Sequence, residues 1–349
     1  MERRRSREIK IGNVKIGGVA PVSVQSMSNV HWSDIEGNVK QAVELEKAGC
    51  EILRIAVPTQ EAVSLIPAIK NKISIPLVAD IHFDYKIALA SAEAGIDKIR
   101  INPGNIGDES KVKAVADICR KKNIPIRIGV NSGSVEKNIL AKYGAPTAAA
   151  LCESALYHIG LLEKFDFQDI LVSLKASSVE TTIEAYQKMA ELCDYPLHLG
   201  VTEAGTARMG LIKSSIGIGS LLHQGIGDTI RVSLTASPVE EISAGLDILR
   251  ALNLRKGVRF VSCPTCGRTE INLIQLANEV EKALANSEKD ITVAVMGCTV
   301  NGPGEAKEAD FGVAGGKGVG LLFKKGEIIR RLPEDELLPA LLKEIEKLE

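Results

Sequence analysis

The chain carries no surplus of charge of either sign. Lys+Arg number 43 and Asp+Glu 44 in 349 residues, a formal charge of −1. There is therefore no global basic field of the kind that draws in nucleic acid. No window approaches 18 consecutive apolar residues, so no membrane span is expected. No signal-type apolar stretch follows the basic run Arg3-Arg4-Arg5, which reads as a solvated tail. A soluble, cytoplasmic protein is the expectation. No histidine follows His223. The glycine-rich run from Gly312 to Gly318 lacks Walker spacing and the following Ser or Thr, so it reads as a turn between strands. The CxxxCxxC pattern of radical enzymes that use S-adenosylmethionine is also missing.

What is present is a thiol constellation near the C-terminus. Cys263 and Cys266 form a CxxC pair, and Cys298 follows, then Gly302-Pro303-Gly304-Glu305. Thiolates are the usual protein ligands of iron–sulfur clusters and of zinc. Either group wants four ligands, and with no late histidine the fourth here is Glu305, a substrate or solvent. The spacing and the Gly-Pro-Gly turn favour a cluster over structural zinc. A disulfide is not expected in a reducing compartment. Cys50, Cys119, Cys152 and Cys193 sit in helical or helix-end patterns and read as buried small apolar residues.

From about residue 18 to 252 one rhythm repeats: a short β-branched run, then a stretch with helical apolar spacing. The runs are 18–26, 51–57, 75–80, 97–102, 125–130, 168–174, 195–201 and 228–234. Segments such as 34–48 and 84–95 end in Ala48-Gly49 and Ala94-Gly95, which are helix-stop signals. Eight such units predict an α/β fold, a (β/α)₈ barrel. Residues 8–18 read as a hairpin capping its bottom. After Leu252 the rhythm changes. Residues 253–257 form a polar linker, with strands expected at 258–262, 291–296, 310–313 and 318–323 and helices at 269–285 and 334–348. The expected domains are thus a TIM-barrel substrate-binding domain, 1–252, and a small α+β domain, 253–349, that holds the three cysteines.

Chemistry in such barrels sits at the C-terminal ends of the strands. Arg54, Arg100, Arg127 and Arg231 each lie between aliphatic residues in a strand run, and Lys175 ends another. A buried guanidinium without a partner costs several kcal/mol or more. Convergent cations make sense if a multiply charged anion binds between them, since arginine suits bidentate phosphate contacts. The competing reading pairs each with a nearby carboxylate such as Glu51, Asp97 or Asp228. Gln25, Ser26, Asp80, His82, Asn102, Asn131, His198, Thr202, Glu203 and Ser233 complete the strand-end set. Glu203 would serve as a proton donor or as an ion-pair partner, and His82 would orient substrate.

These residues lie in stretches that resemble bacterial hydroxymethylbutenyl diphosphate synthases of the methylerythritol phosphate route to isoprenoids. The similar stretches run from Val24-Gln-Ser-Met27 and Glu51-Ile-Leu-Arg54 through Val78-Ala-Asp-Ile-His82, the run 98–105 and Ile126–Asn131. They continue with Thr202–Gly205, Ser262–Arg268 and Met296–Glu305. The resemblance implies a 4Fe-4S cluster on Cys263, Cys266, Cys298 and, without substrate, Glu305. It implies an oxidoreductase acting on 2-C-methyl-D-erythritol 2,4-cyclodiphosphate. Arg54, Arg100, Arg127 and Lys175 would hold the diphosphate, helped by Asn131 and Ser233. Two electrons from reduced flavodoxin or ferredoxin would open the ring, with a hydroxyl leaving as water. The alternatives are a pterin-type transferase barrel with a structural zinc domain, and a non-catalytic redox sensor or cluster carrier.

Geometry adds an expectation about assembly. The eighth barrel helix, about 237–252, should end at the bottom face. The five-residue linker 253–257 spans at most roughly 17 Å. Strands of about six residues already rise roughly 20 Å before loops are added. A cluster domain so tethered falls short of its own barrel mouth. A head-to-tail homodimer, with each cluster domain closing the partner's barrel and the active site shared between chains, resolves this; the resemblance implies such a dimer as well.

Overall fold

A computed structural model describes residues 2–285, 287, 289–299, 304 and 306–348. Glu305, the expected fourth ligand, lies outside the described residues. The chain divides into two compact units, Met1–Leu252 and Asn253–Glu349.

The first unit opens with a hairpin, β1 (Ile9–Ile11) and β2 (Val14–Ile16). Eight parallel strands follow: β3 (Ser23–Met27), β4 (Ile52–Ala56), β5 (Leu77–Asp80), β6 (Lys98–Ile101), β7 (Ile126–Asn131), β8 (Ile170–Lys175), β9 (His198–Leu199) and β10 (Thr229–Ile230). Their order is β8-β7-β6-β5-β4-β3-β10-β9, and a parallel bridge from Val172 to Leu197 joins the two ends. The sheet therefore closes into a barrel. Helices between the strands begin at Asp34, Asp84, Asp108, Thr147, Ser178 and Ser237, whose side chains accept backbone N–H groups left free in the first turn. Gly49 and Gly95 follow the ends of their helices with φ of +94° and +87°, a conformation that costs glycine little.

Side chains alternate along each strand, so every second residue faces the barrel interior. At the N-terminal ends of the strands Ile52, Val78 and Leu171 face in and pack on Ile9, Ile11 and Ile16 of the hairpin. Fully burying each isoleucine contributes roughly 1.5–3 kcal/mol. This apolar plug seals the bottom and leaves the upper interior for polar groups. Arg3 and Arg4 correct the expectation of a solvated tail, while Arg5 is exposed as expected. Arg3 reaches the Gly227 carbonyl and, at 3.2 Å, Asp228; Arg4 donates to the carbonyls of Ala190, Cys193 and Tyr195. Both tie the ends of barrel loops together.

The second unit is a five-stranded sheet, β11 (Arg259–Ser262), β12 (Thr292–Met296), β13 (Phe311–Ala314), β14 (Gly320–Lys324) and β15 (Glu327–Leu332). The first three strands are parallel and the last two run antiparallel. Helices Leu273–Leu284 and Glu334–Glu346 bury their apolar stripes with Val293, Val295, Val313 and Leu322. Strand β15 was not expected from the sequence. Its residues up to Arg331 are exposed, so no alternation marks it. The turn that pairs it with β14 is Lys325-Gly326, both at positive φ, 48° and 78°, as a tight hairpin requires.

Among the described residues no helix is long and apolar enough to cross a membrane.

Candidate active site

Above the apolar plug the barrel interior is cationic. Strand register brings Asp80 beside Arg100 and Arg100 beside Arg127, with Arg54 on the neighbouring strand β4. Asp80 is the hub. One carboxylate oxygen accepts from Arg100 at 3.1 Å, and the other accepts from Arg54 and faces His82 Nε2 at 3.2 Å. Burial disfavours the Asp80 anion. The Arg54 and Arg100 guanidiniums and the His82 hydrogen bond outweigh that and hold its carboxyl well below the usual range.

Two glycines make room for these cations. A Cβ at Gly129 would stand 2.5 Å from Arg100 Nε, whose guanidinium lies across β7 and donates to the Gly129 carbonyl at 3.3 Å. A Cβ at Gly200 would meet the Arg231 carbonyl oxygen at 2.8 Å and Lys175 Nζ at 2.9 Å.

Arg127 is 1% exposed and forms no ion pair among the described residues. Its Nη1 lies 3.4 Å from Gln25 Oε1, and its Nε has no hydrogen-bond partner among the described residues. Lys175 is buried at the end of β8 with no ion pair among the described residues. Burial, then neighbouring cations, push both groups well below their ordinary values. Arg231 pairs at 3.5 Å with Glu241, which also accepts from Ser26 Oγ and the Leu234 N–H. A cleft of about 460 Å³ beside this pair is lined in part by Met27, Ser28, Arg231, Thr235 and Glu241. His198 is fully buried, and burial and the charges of Arg127 and Lys175 hold it far below its ordinary value, hence neutral.

Among the described residues the ion pairs of Arg54, Arg100 and Arg231 draw on two carboxylates, Asp80 and Glu241. Arg127 and Lys175 are left over, so the interior holds more positive charge than the described residues offset. The three carboxylates named from the sequence are engaged elsewhere. Asp97 holds Lys70 and the Leu77 N–H, Asp228 holds Arg3 and the Leu197 N–H, and Glu51 accepts the Val24 N–H.

The remaining sequence candidates stand around this centre. Asn131 ends β7 in register with Lys175, Asn102 is buried just after β6, and Ser233 is half-buried after β10. Glu203 is exposed after β9, with no ion pair among the described residues and φ of 52°, a strained left-handed conformation for a residue other than glycine. Sequence reasoning missed Lys98, Glu241, Gly129 and Gly200. Lys98 had a signal: it lies two residues before Arg100 and so on the same face of β6.

In the second unit Cys263 follows β11 and Cys298 follows β12, at one end of a parallel pair. Cys263 Sγ accepts the Gly297 N–H at 3.1 Å, which ties the two loops together. Cys266 is exposed, and hydrogen bonds from Arg268 hold its thiol below the ordinary value. No group of three or more His, Cys, Asp or Glu is gathered closely enough to hold a metal ion among the described residues. The donor set is nonetheless soft thiolate on loops at one sheet end, which suits iron or zinc. Elsewhere burial pushes the thiols of Cys50 and Cys119 up to about 12 and Cys152 to about 11, as inert packing residues require.

Comparison with known proteins agrees with this two-part arrangement. Residues 6–246 match the GcpE TIM-barrel domain, and residues 259–347 match the GcpE protein C-terminal domain. The chain is 58% identical over all of its 349 residues, and over the whole of the relative, to a Clostridium tetani protein named 4-hydroxy-3-methylbut-2-en-1-yl diphosphate synthase (flavodoxin). It is 59% identical to a protein of the same name from Caldanaerobacter subterraneus, covering 99% of this chain and 98% of the relative. A solved Plasmodium falciparum HPPK-DHPS shares the fold with TM-score 0.51 at 14% identity, over 80% of this chain and 52% of that one. That likeness reaches the fold alone. With both units matched and relatives this similar end to end, the chain belongs to the GcpE family.

Proposed function

We propose that this chain is an oxidoreductase that opens the ring of 2-C-methyl-D-erythritol 2,4-cyclodiphosphate reductively and dehydrates it to 4-hydroxy-3-methylbut-2-enyl diphosphate. The observation that carries the reading is the uncompensated positive charge in the upper barrel, where Arg127 and Lys175 have no carboxylate partner among the described residues. A diphosphate supplies the missing negative charge. Arg54, Arg100, Arg127, Arg231 and Lys175 hold it, with Asn131 and Ser233 beside them. Asp80 fixes the aim of two of these arginines, and His82, half exposed above it, orients the sugar. Glu203 donates a proton to the departing hydroxyl. The reaction consumes two electrons and two protons, breaks the ring C–O bond at phosphate, and releases one water.

Cys263, Cys266, Cys298 and Glu305 hold a 4Fe-4S cluster. Bound there, it supplies electrons singly and a Lewis-acidic iron. Flavodoxin, which the relatives' name includes, or ferredoxin provides the electrons. The likeness to a pterin-binding barrel does not favour a transferase, because it extends no further than the fold. The short linker supports a head-to-tail homodimer, each cluster domain completing the partner's barrel. The test is anaerobic incubation of cluster-loaded protein with the cyclodiphosphate and reduced flavodoxin, followed by mass spectrometry. The linear diphosphate is expected, and unchanged substrate alongside an intact cluster would count against the assignment.

A further inference from the structure

Lys98 stands between the apolar plug and the cationic layer. It is fully buried on β6, one inward step below Arg100, and its register partner on β5 is Val78 of the plug. Its Nζ lies 3.4 Å from Gln25 Oε1, the same oxygen that Arg127 Nη1 approaches to 3.4 Å. Among the described residues no carboxylate pairs with Lys98. One neutral amide oxygen accepts hydrogen bonds from both groups but offsets the charge of neither. Arginine keeps its proton in proteins, whereas a lysine sealed from both water and anions loses it readily; Lys98 is 0% exposed, while Lys175 ends its strand at the mouth and is 7% exposed. Arg127 on β7, Arg54 on β4 and neutral His198 on β9 act on Lys98, and the other charged groups of the interior are mostly cationic: Arg100 on β6, Lys175 on β8 and Arg231 just after β10. Against them stand Asp80, already shared by Arg54 and Arg100, and Glu241, engaged with Arg231.

We propose that Lys98 is neutral in the free barrel and takes up a proton when a polyanion fills the mouth, so that diphosphate capture is coupled to protonation beneath the site. Lys98 does not touch the ligand. It acts through Gln25 and Arg127 as a positioning residue, and it lets the barrel stand free with one positive charge fewer. Burial, then Arg127 and Arg54, press its ammonium in the neutral direction. An anion above offsets those two guanidiniums and so restores the charged form. The sign follows from linkage. The bound state holds more protons than the free state, so affinity rises as pH falls. The association constant changes by up to about tenfold per pH unit between the free and bound titration points.

The proposal rests on the reading of the mouth as a diphosphate site, and one experiment separates the two. A cyclic diphosphate has only strongly acidic phosphate oxygens, so it brings no titrating group of its own near neutral pH. Oxidised, cluster-loaded full-length protein is titrated calorimetrically with 2-C-methyl-D-erythritol 2,4-cyclodiphosphate, in buffers of differing ionisation enthalpy, from pH 6.5 to 9. Wild type is expected to take up protons on binding. Lys98→Met and Lys98→Gln should take up as much as one proton fewer and show a flatter dependence of affinity on pH. Binding by wild type without proton uptake overturns the proposal with no variant needed. Equal uptake by wild type and the folded variants overturns it as well. Failure of wild type to bind at all overturns the diphosphate reading itself, and this proposal with it.

Discussion

Asp80→Asn tests the electrostatics of the barrel mouth. Asp80 is 1% exposed, and its carboxylate is shared by Arg54 and Arg100. The asparagine keeps the shape and a carbonyl acceptor but removes the charge. Two guanidiniums then face each other and Arg127 with no counter-ion among the described residues. Breaking a buried ion pair from one side costs about 3–5 kcal/mol. A unit of this size loses about 2 °C of melting temperature per kcal/mol, so a fall of about 6–10 °C is expected. Because folding depresses the Asp80 carboxyl, its stabilisation is complete above the unfolded value, about 3.9, and is lost as pH falls through the folded value. The difference between wild type and variant should therefore stay level from pH 8 to pH 5. Thermal unfolding followed by circular dichroism reads both quantities. Adding the cyclodiphosphate should restore part of the lost stability, since an anion now has more uncompensated charge to meet. A melting temperature within 2 °C of wild type would refute the claim that these cations strain the free barrel.

Arg127→Ala removes one or more charge-assisted hydrogen bonds worth roughly 1.5–3 kcal/mol each, so substrate affinity should fall about tenfold or more while the cluster absorption stays intact; calorimetry and a visible spectrum check this together. Gly129→Ala should fold normally yet bind the cyclodiphosphate about tenfold more weakly. Its new methyl would sit 2.5 Å from Arg100 Nε and push that guanidinium off its aim, and unchanged affinity would show that Arg100 does not contact the ligand. Cys298→Ala should lose the iron–sulfur absorption and bound sulfide while the barrel melts as before, whereas a full cluster in that variant would remove Cys298 from the ligand set. Co-expressing Arg127→Ala with Cys263→Ala should regain activity in mixed dimers, and silent mixed dimers would place the whole site in one chain.

The barrel was legible because its code is local. Eight apolar runs spaced by amphipathic stretches predict strand and helix without any knowledge of partners, and alternation alone puts Arg54, Arg100 and Arg127 on the inner face. What pairs with what was not legible, because it depends on closure. Asp80 meets Arg54 across 26 residues and Arg100 across 20, whereas the sequence pointed to nearer carboxylates. Glu241 reaches Arg231 and Ser26 from the start of a helix, which no strand pattern marks. Gly129 and Gly200 carry ordinary backbone angles, and their need for smallness appears only once the barrel closes, when Arg100 crosses Gly129 and the Arg231 carbonyl and Lys175 press on Gly200. Arg3 and Arg4 looked solvated because all their acceptors but the Ala20 carbonyl lie about 190 residues away or more. Strand β15 was hidden by its exposed, unpatterned sequence and by a Lys-Gly turn in place of the commoner Asn-Gly.

Reductive ring opening consumes two electrons for each linear diphosphate formed. The most direct measurement is that count, taken anaerobically with cluster-loaded protein, the cyclodiphosphate and a limiting, titrated amount of reduced flavodoxin, with product quantified by phosphorus NMR. Two electrons lost per product formed, and no product without the reductant, is the expected result. Product without electron consumption, or electron consumption without ring opening, would contradict a reductive role for this barrel and its thiols.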